Sequence, residues 1–176
     1  MNMIDITSFS DAAIKSQSFS HDTSIKHTVE SIKQAVLKER DQAIIAYTKQ
    51  FDAPAISDDT FSLVVSESEK KEAYSLVSKA FLEALTFAKS NIESFHKNQL
   101  PSSWEKTAPR GYTYGMQYAA IAIAGLYVPG GRALYPSSVL MNAIPAKLAG
   151  VDTLVMTTPP RKDGTLAPEI LVAGQE

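Results

Sequence analysis

The residues with the clearest potential to bind a ligand lie in one segment, residues 125–132, where apolar residues are followed by Pro129, Gly130 and Gly131. This order predicts a β-strand, a tight glycine turn and the start of a helix. At such a junction, free backbone N–H groups lie at the positive end of the helix dipole and can bind a phosphate or a carboxylate. The same residues also fit a plain turn in which glycine supplies a positive φ. Physical reasoning alone leaves both interpretations open.

Tyr127 precedes this turn, at the carboxyl end of the predicted strand. Open α/β sheets bind ligands at that end, and an aromatic ring there can stack on a base or a ribose. Tyr127 equally fits a core residue with its hydroxyl group at the rim of the sheet. The glycines do not have the G-x-G-x-x-G spacing of the common dinucleotide fingerprint, and no Gly-Lys-Ser/Thr follows them. Any binding of NAD here is therefore expected to be atypical.

Other kinds of catalytic chemistry have little support in the sequence. His21, His27 and His96 lack metal-ligand spacing, and the chain has no cysteine. Ser137 and Ser138 are predicted to cap a helix rather than to act as nucleophiles. The acidic residues fall on helix surfaces and are predicted to form ion pairs, for example that of Glu93 with a lysine at position 89 or 97. We therefore assign no catalytic residue and no metal ligand.

The composition is that of an ordinary globular protein, with 44% hydrophobic and 20% charged residues in a chain of 176. A formal net charge of −2 gives no basic patch for nucleic acid or for an anionic membrane. No apolar run is long enough to span a membrane, and the N-terminus lacks the pattern of an export signal. The absence of cysteine suits a reducing compartment, so we expect a cytoplasmic protein without nucleic-acid or membrane partners.

The first part of the chain is predicted to be mostly helical. Apolar residues at helical spacing indicate one helix ending near residue 37 and a second that begins with Asp41 as its N-cap. Residues 61–65 fit an edge strand or an extended linker. Ser66 and Glu69 form a capping-box pattern that opens a single long helix reaching about residue 98. Residues 112–114 are predicted to lie in a short hairpin.

The last part predicts a strand–helix–strand unit. Residues 119–125 and 152–158 are apolar runs typical of buried parallel strands, and residues 138–148 between them form a helix that Pro145 either kinks or restarts. Another helix begins at Pro168. We therefore predict an α/β fold, with a helical region at 1–118 and the first βαβ unit of a Rossmann-like sheet at 119–176. We expect a truncated fragment whose open sheet edge and apolar helix stripe favour self-association.

Several segments resemble the histidinol dehydrogenase family. Residues 125–151, with the unusual run Leu-Met-Asn-Ala-Ile-Pro-Ala-Lys at 140–147, resemble the family's signature nearly residue for residue. Residues 41–52, 91–96 and 158–160 are similar to further family segments, so the resemblance extends from about residue 25 onward. Arg40 departs from the pattern, because the family usually has glycine at this position.

The resemblance implies a zinc-dependent enzyme that oxidises L-histidinol to L-histidine, reduces NAD and assembles as a homodimer. It implies that Tyr127 contacts NAD, that Pro129, Gly130 and Gly131 form the loop beside it, and that Phe51 lies near the cofactor. The family's zinc ligands and its Glu-His acid–base pair belong to later sequence and have no counterpart here. We therefore expect the isolated chain to be inactive. The alternatives are a piece of a dehydrogenase acting on another small alcohol and a non-catalytic module that binds a ligand or self-associates.

Overall fold

A computed structural model describes residues 23–57, 61–130 and 134–176. The contacts within the chain divide it into two compact units, Met1–Ile44 and Ile45–Glu176. The first unit contains helix α1 (Thr23–Glu39) and the first residues of helix α2 (Asp41–Phe51), which continues into the second unit. Two consecutive helices with a break near residue 40 confirm the prediction for this part of the chain.

The turn between α1 and α2 depends on Arg40, which has a φ of 53°. Its N–H group donates to the carbonyl oxygen of Val36 at 2.8 Å, and its own carbonyl oxygen accepts from the N–H group of Ile44 at 3.3 Å. Arg40 thus ends one helix and caps the next, so the prediction of Asp41 as the N-cap was wrong. Asp41 is instead the first helical residue, where its carboxylate interacts favourably with the helix dipole.

The second unit holds the remaining helices and two small sheets. In chain order its elements are α3 (Glu67–Leu76), α4 (Lys79–Lys97), β1 (Trp104–Thr107), β2 (Thr113–Met116), β3 (Ile123–Tyr127), α5 (Pro136–Leu148), β4 (Thr153–Thr157) and α6 (Pro168–Gln175). Strands β1 and β2 pair antiparallel. Strands β3 and β4, which are connected by α5 in the sequence, pair parallel. The predicted α/β class, with helices first and a parallel strand–helix–strand unit after them, is confirmed.

The single long helix predicted from residue 66 to residue 98 is in fact two helices. The capping box is present at its start: the Ser66 hydroxyl accepts from the N–H group of Glu69 at 3.2 Å, and the Glu69 carboxylate accepts from the N–H group of Ser66 at 2.8 Å. Val77 and Ser78 then adopt extended backbone conformations, and the Ser78 hydroxyl caps α4 by accepting from the N–H group of Phe81 at 3.1 Å. This second cap interrupts the helix that the apolar periodicity predicted to be continuous.

The two predictions for the segments on either side of these helices had different outcomes. Residues 61–65 contain no strand, because the Ser62 hydroxyl donates to the carbonyl oxygen of Val64 and accepts from its N–H group, which closes a turn. The predicted hairpin is present as β1 and β2, and Thr107 pairs with Thr113 next to the turn. Strand β1 itself was not predicted.

The core of the second unit lies between its helices. Helix α3 packs on α6, α4 packs on α5, and α5 also packs on α6. These contacts bury one cluster of apolar residues: Ala73, Leu85, Val128, Val139, Leu140, Ala167, Ile170, Val172 and Ala173. Residue Val128, which follows β3 directly, is fully buried and attaches the end of the sheet to this core.

Strand β3 begins later in the sequence than predicted, and both parallel strands are more exposed to solvent than predicted. Strand β3 begins at Ile123 rather than at residue 119, because its partner β4 begins only at Thr153, which lies opposite Ile123. Alternate residues of both strands are exposed, including Ile123 and Val155, whereas Leu126 and Met156 are partly covered. The prediction of strands buried on both faces was therefore wrong for the described part of the chain.

Helix α5 continues without interruption through Pro145, so it does not restart there. Its N-cap is Tyr135, whose side chain makes no capping hydrogen bond, and Pro136 is the first helical residue. The prediction that Ser137 and Ser138 cap this helix was wrong, because the helix begins before them. Proline suits the first helical position, since its missing N–H group would have no partner within the helix.

Candidate functional site

The loops that follow β3 and β4 meet at the carboxyl edge of the parallel sheet. Tyr127 lies opposite Thr157 in the register, and the N–H group of Val128 donates to the carbonyl oxygen of Thr157 at 2.9 Å. A Cβ atom placed on Gly130 would lie 3.0 Å from Cγ and 3.1 Å from the carbonyl oxygen of Pro159. This close approach needs glycine at position 130, and it joins the two loops where parallel sheets bind their ligands.

A cavity of about 690 Å³ opens beside these loops. Its size lies within the range of about 300–1,000 Å³ that is typical of small-molecule sites. Its walls come from the end of α2, the loops after β3 and β4, and the first turn of α6. The lining residues are Phe51, Asp52, Pro129, Gly130, Leu134, Thr158, Pro159, Pro160, Arg161, Lys162, Leu166, Ala167 and Ile170.

Three of the five residues predicted to contact a cofactor line this cavity: Phe51, Pro129 and Gly130. The Phe51 side chain is 61% exposed, and its ring stacks parallel to that of Tyr47 with 5.9 Å between the ring centroids. Tyr127 is not among the lining residues; it lies on the open face of the sheet and is 67% exposed. Gly131 lies outside the described residues. The structure thus brings together residues that are far apart in the sequence, such as Phe51 and Gly130.

The cavity also has charged walls that the sequence reasoning missed. Arg161 and Lys162 line it on one side, and Asp52 lines it at the end of α2. The signal that could have identified the two cations is their position directly after Pro159 and Pro160, in the loop that leaves the carboxyl end of β4. The described walls therefore combine apolar surface with two positive charges and one negative charge.

The loop that carries the two cations is held by its own hydrogen bonds. The N–H group of Arg161 donates to the carbonyl oxygen of Thr165 at 2.8 Å, and that of Gly164 donates to the carbonyl oxygen of Arg161 at 2.8 Å. The Asp163 carboxylate accepts from the hydroxyl and the N–H group of Thr165, and these bonds lower the pKa of Asp163. Gly164 has a φ of +85°, and a Cβ atom there would lie 2.6 Å from Cγ2 of the buried Ile56. The loop therefore packs in one defined conformation.

Metal-binding chemistry finds no support in the part of the chain that the structure describes. Among those residues, no group of three or more His, Cys, Asp or Glu side chains could hold a metal ion. His96 lies at the end of α4 with its Nδ1 atom 2.6 Å from Oε1 of Gln99. The Glu93 carboxylate pairs with Lys97 at 3.9 Å, which is one of the two pairings predicted for it. His21 lies outside the described residues.

The helices in the described ranges include none that combines the length and the apolar character needed to cross a membrane.

Comparison with known proteins gives a consistent result. The protein-family model described as histidinol dehydrogenase matches residues 15–176. The histidinol dehydrogenase of a Synechococcus strain is 46% identical over 159 residues, which cover 89% of this chain and 36% of that protein. The histidinol dehydrogenase of Bacillus subtilis is 44% identical over 151 residues, which cover 86% of this chain and 34% of that protein. The crystal structure of histidinol dehydrogenase from Elizabethkingia anophelis superposes with a TM-score of 0.78 at 35% identity, covering 86% of this chain and 34% of that one. The chain thus spans about a third of the length of the relatives it matches.

Proposed function

Because the chain belongs to the histidinol dehydrogenase family, we propose that it forms the NAD-binding part of an enzyme that oxidises L-histidinol to L-histidine. The observation that carries this proposal is the cavity at the carboxyl ends of β3 and β4, which contains Phe51, Pro129 and Gly130. In this proposal residues 119–176 form the first βαβ unit of a Rossmann-like domain, and residues 1–118 form the mostly helical region before it, which also contains the hairpin of β1 and β2.

The residues around the cavity fit a dinucleotide. Pro129 and Gly130 supply a wall without bulky side chains, which lets the ligand approach the backbone closely. The exposed face of Phe51 offers a surface on which a flat ring can stack. Tyr127 lies two residues before Pro129 on the open face of the sheet, where its ring can contact a part of the dinucleotide that extends beyond the cavity. When bound, NAD supplies the acceptor for the hydride of the alcohol.

We do not propose that the described residues bind zinc. The described residues do not fit a zinc site, since none of their clusters supplies enough ligands. We therefore assign no metal ligand and no acid–base residue to them, and we expect this 176-residue chain to bind the cofactor without oxidising histidinol by itself.

We also propose that the protein acts as a homodimer in the cytoplasm. Support for self-association comes from the exposed face of the parallel sheet, where Ile123 and Val155 are 64% and 56% exposed. Apolar surface of this kind is costly to leave in contact with water. Sedimentation velocity at increasing protein concentration tests this part, and a single monomeric species at every concentration would contradict it. A biosynthetic role suits the cytoplasm, where NAD is available.

Titration of the isotopically labelled chain with NAD, followed by NMR, tests the cofactor assignment. We expect the amide signals of Gly130, Ala167 and Ile170 to shift, because these residues line the cavity. Replacing Phe51→Ala removes the stacking surface and should weaken NAD binding about 3- to 10-fold. Phe87→Ala is a matched control, since Phe87 is 70% exposed on α4 and does not line the cavity. Equal effects of both substitutions, or shifts confined to other regions, would exclude this cavity as the NAD site.

A further inference from the structure

Positive charge is concentrated at the cavity although the chain as a whole is negative. The formal net charge of the protein is −2, yet the described walls of the cavity carry Arg161 and Lys162 against the single carboxylate of Asp52. An anion is therefore favoured at this wall more than at an average position of the surface.

The backbone of the loop that carries these two exposed cations is held by contacts within the chain. Its backbone is closed by the hydrogen bonds between Arg161 and Thr165, and it is packed on Ile56 at Gly164. The Asp163 carboxylate does not line the cavity; it accepts two hydrogen bonds from Thr165, and the positive charge of Arg161 also contributes to lowering its pKa. Little backbone entropy would be lost when the cations bind an anion.

We propose that Arg161 and Lys162 bind the phosphate groups of the dinucleotide, an inference that rests on the proposed function. The pyrophosphate of NAD carries two negative charges, and the loop presents two positive ones at the wall of the same cavity as Phe51. The guanidinium group of Arg161 can bind two phosphate oxygens at once, and the ammonium group of Lys162 adds a compact charge. The ring systems of the ligand would then contact the apolar walls of the cavity, including Pro129 and Phe51.

The test compares ADP with adenosine, which differ only in phosphate, and includes NAD as the proposed ligand. The dissociation constants of ADP, adenosine and NAD are measured by NMR titration for the wild type and for the double variant Arg161→Gln and Lys162→Gln. The matched control is Lys71→Gln with Arg110→Gln, which removes the same charges from two exposed residues outside the cavity. We expect the cavity variant to bind ADP about tenfold more weakly and adenosine unchanged, because only ADP carries phosphate. Raising the salt from about 50 to about 200 mM should weaken ADP binding to the wild type more than to the variant.

The possible results separate this inference from the proposed function. Equal ADP affinities in the cavity variant and the control variant would overturn the role of Arg161 and Lys162. If NAD still shifted the cavity signals in that case, the proposed function would stand. If ADP binding depended on the two cations but NAD left the cavity signals unchanged, the anion site would be supported and the cofactor assignment would fail. Absence of ADP binding to the wild type would overturn the inference outright.

Discussion

The contact between Gly130 and Pro159 predicts that a single methyl group at position 130 disturbs the candidate site. In Gly130→Ala, the new Cβ atom would lie 3.0 Å from Cγ and 3.1 Å from the carbonyl oxygen of Pro159. Contacts between Cβ and other atoms are rarely this short, so the neighbouring atoms must shift by a few tenths of an ångström. A change of pucker can move Cγ of the Pro159 ring, but the carbonyl oxygen of Pro159 belongs to the backbone and moves only with the loop. We therefore expect the backbone of the two loops to shift by a few tenths of an ångström.

The size of the effect follows from two opposing contributions. Forcing an extra methyl group into a closely packed place costs about 1–3 kcal/mol. Replacing glycine by alanine also restricts the unfolded chain, which returns about 0.4–1 kcal/mol. We therefore expect Gly130→Ala to lower the free energy of unfolding by about 1–2 kcal/mol, or the melting temperature by a few degrees in a chain of this size.

Gly125→Ala is the matched control. Gly125 lies five residues earlier in β3, and a Cβ atom there would meet no atom within 4 Å. The restriction of the unfolded chain then acts alone, and we expect this variant to be as stable as the wild type or slightly more stable. Urea denaturation of both variants gives the comparison, and NMR titration with NAD shows whether the loop movement also alters the cavity.

Two results would refute this reasoning. Equal stability of the two alanine variants would mean that the approach of Gly130 to Pro159 does not constrain the loops. A destabilised Gly130→Ala with unchanged NAD affinity would show that the contact matters for folding but does not shape the ligand site.

The other predictions concern the helix ends. Ser66→Ala removes the hydroxyl group of the capping box of α3 but keeps its backbone N–H group, and it should cost about 1 kcal/mol in urea denaturation. Ser75→Ala in the same helix should stay within about 0.5 kcal/mol. Hydrogen bonds from Ser66 lower the pKa of Glu69 below its ordinary value of 4.5. The ionised carboxylate therefore stabilises the folded state at pH values above 4.5, and this stabilisation is lost as the pH falls below 4.5 and through the lowered pKa. Acid denaturation curves should therefore be flatter in Ser66→Ala; an unchanged pH dependence would contradict the assignment. Arg40→Gly should stabilise the junction of α1 and α2 by about 0.5–1 kcal/mol, because glycine adopts a φ of 53° without strain, and hydrogen exchange at Ile44 should slow. Lys38→Gly, inside α1, should have the opposite effect of about 1 kcal/mol, and equal responses at the two positions would count against strain at Arg40.

The break between α3 and α4 shows what sequence periodicity can and cannot predict. The capping box at Ser66 is a local pattern, and the structure contains it as predicted. The second cap at Ser78 uses the same chemistry, but the apolar stripe continues through it and hides the interruption. The reason lies in tertiary packing, since α3 packs on α6 whereas α4 packs on α5. The two helices thus pack on different partners. The spacing of apolar residues along the sequence does not indicate which partner each part of the segment will contact.

The strands show the same dependence on distant residues. The apolar run from residue 119 predicts a strand of the right kind, but pairing decides where it begins, and β4 offers its first partner only at Thr153. Within the site, the glycine loop and Phe51 could be identified from the family resemblance. The sequence indicates for Arg161 and Lys162 only that they follow the carboxyl end of a predicted strand; the fold is needed to show that they line the same cavity as Pro129 and Phe51.

The length of the connection between α5 and β4 affects which residue of β4 pairs with Ile123 of β3. The pairing of Ile123 with Thr153 places Leu154 and Met156 on the covered side and Val155 on the exposed side. If one residue is inserted or deleted before Thr153 and the register of β4 against β3 shifts by that residue, the two sides of β4 are exchanged, because side chains alternate along a strand. The number of residues between α5 and the first paired residue of β4 thus decides which side chains of this strand face the covered side of the sheet.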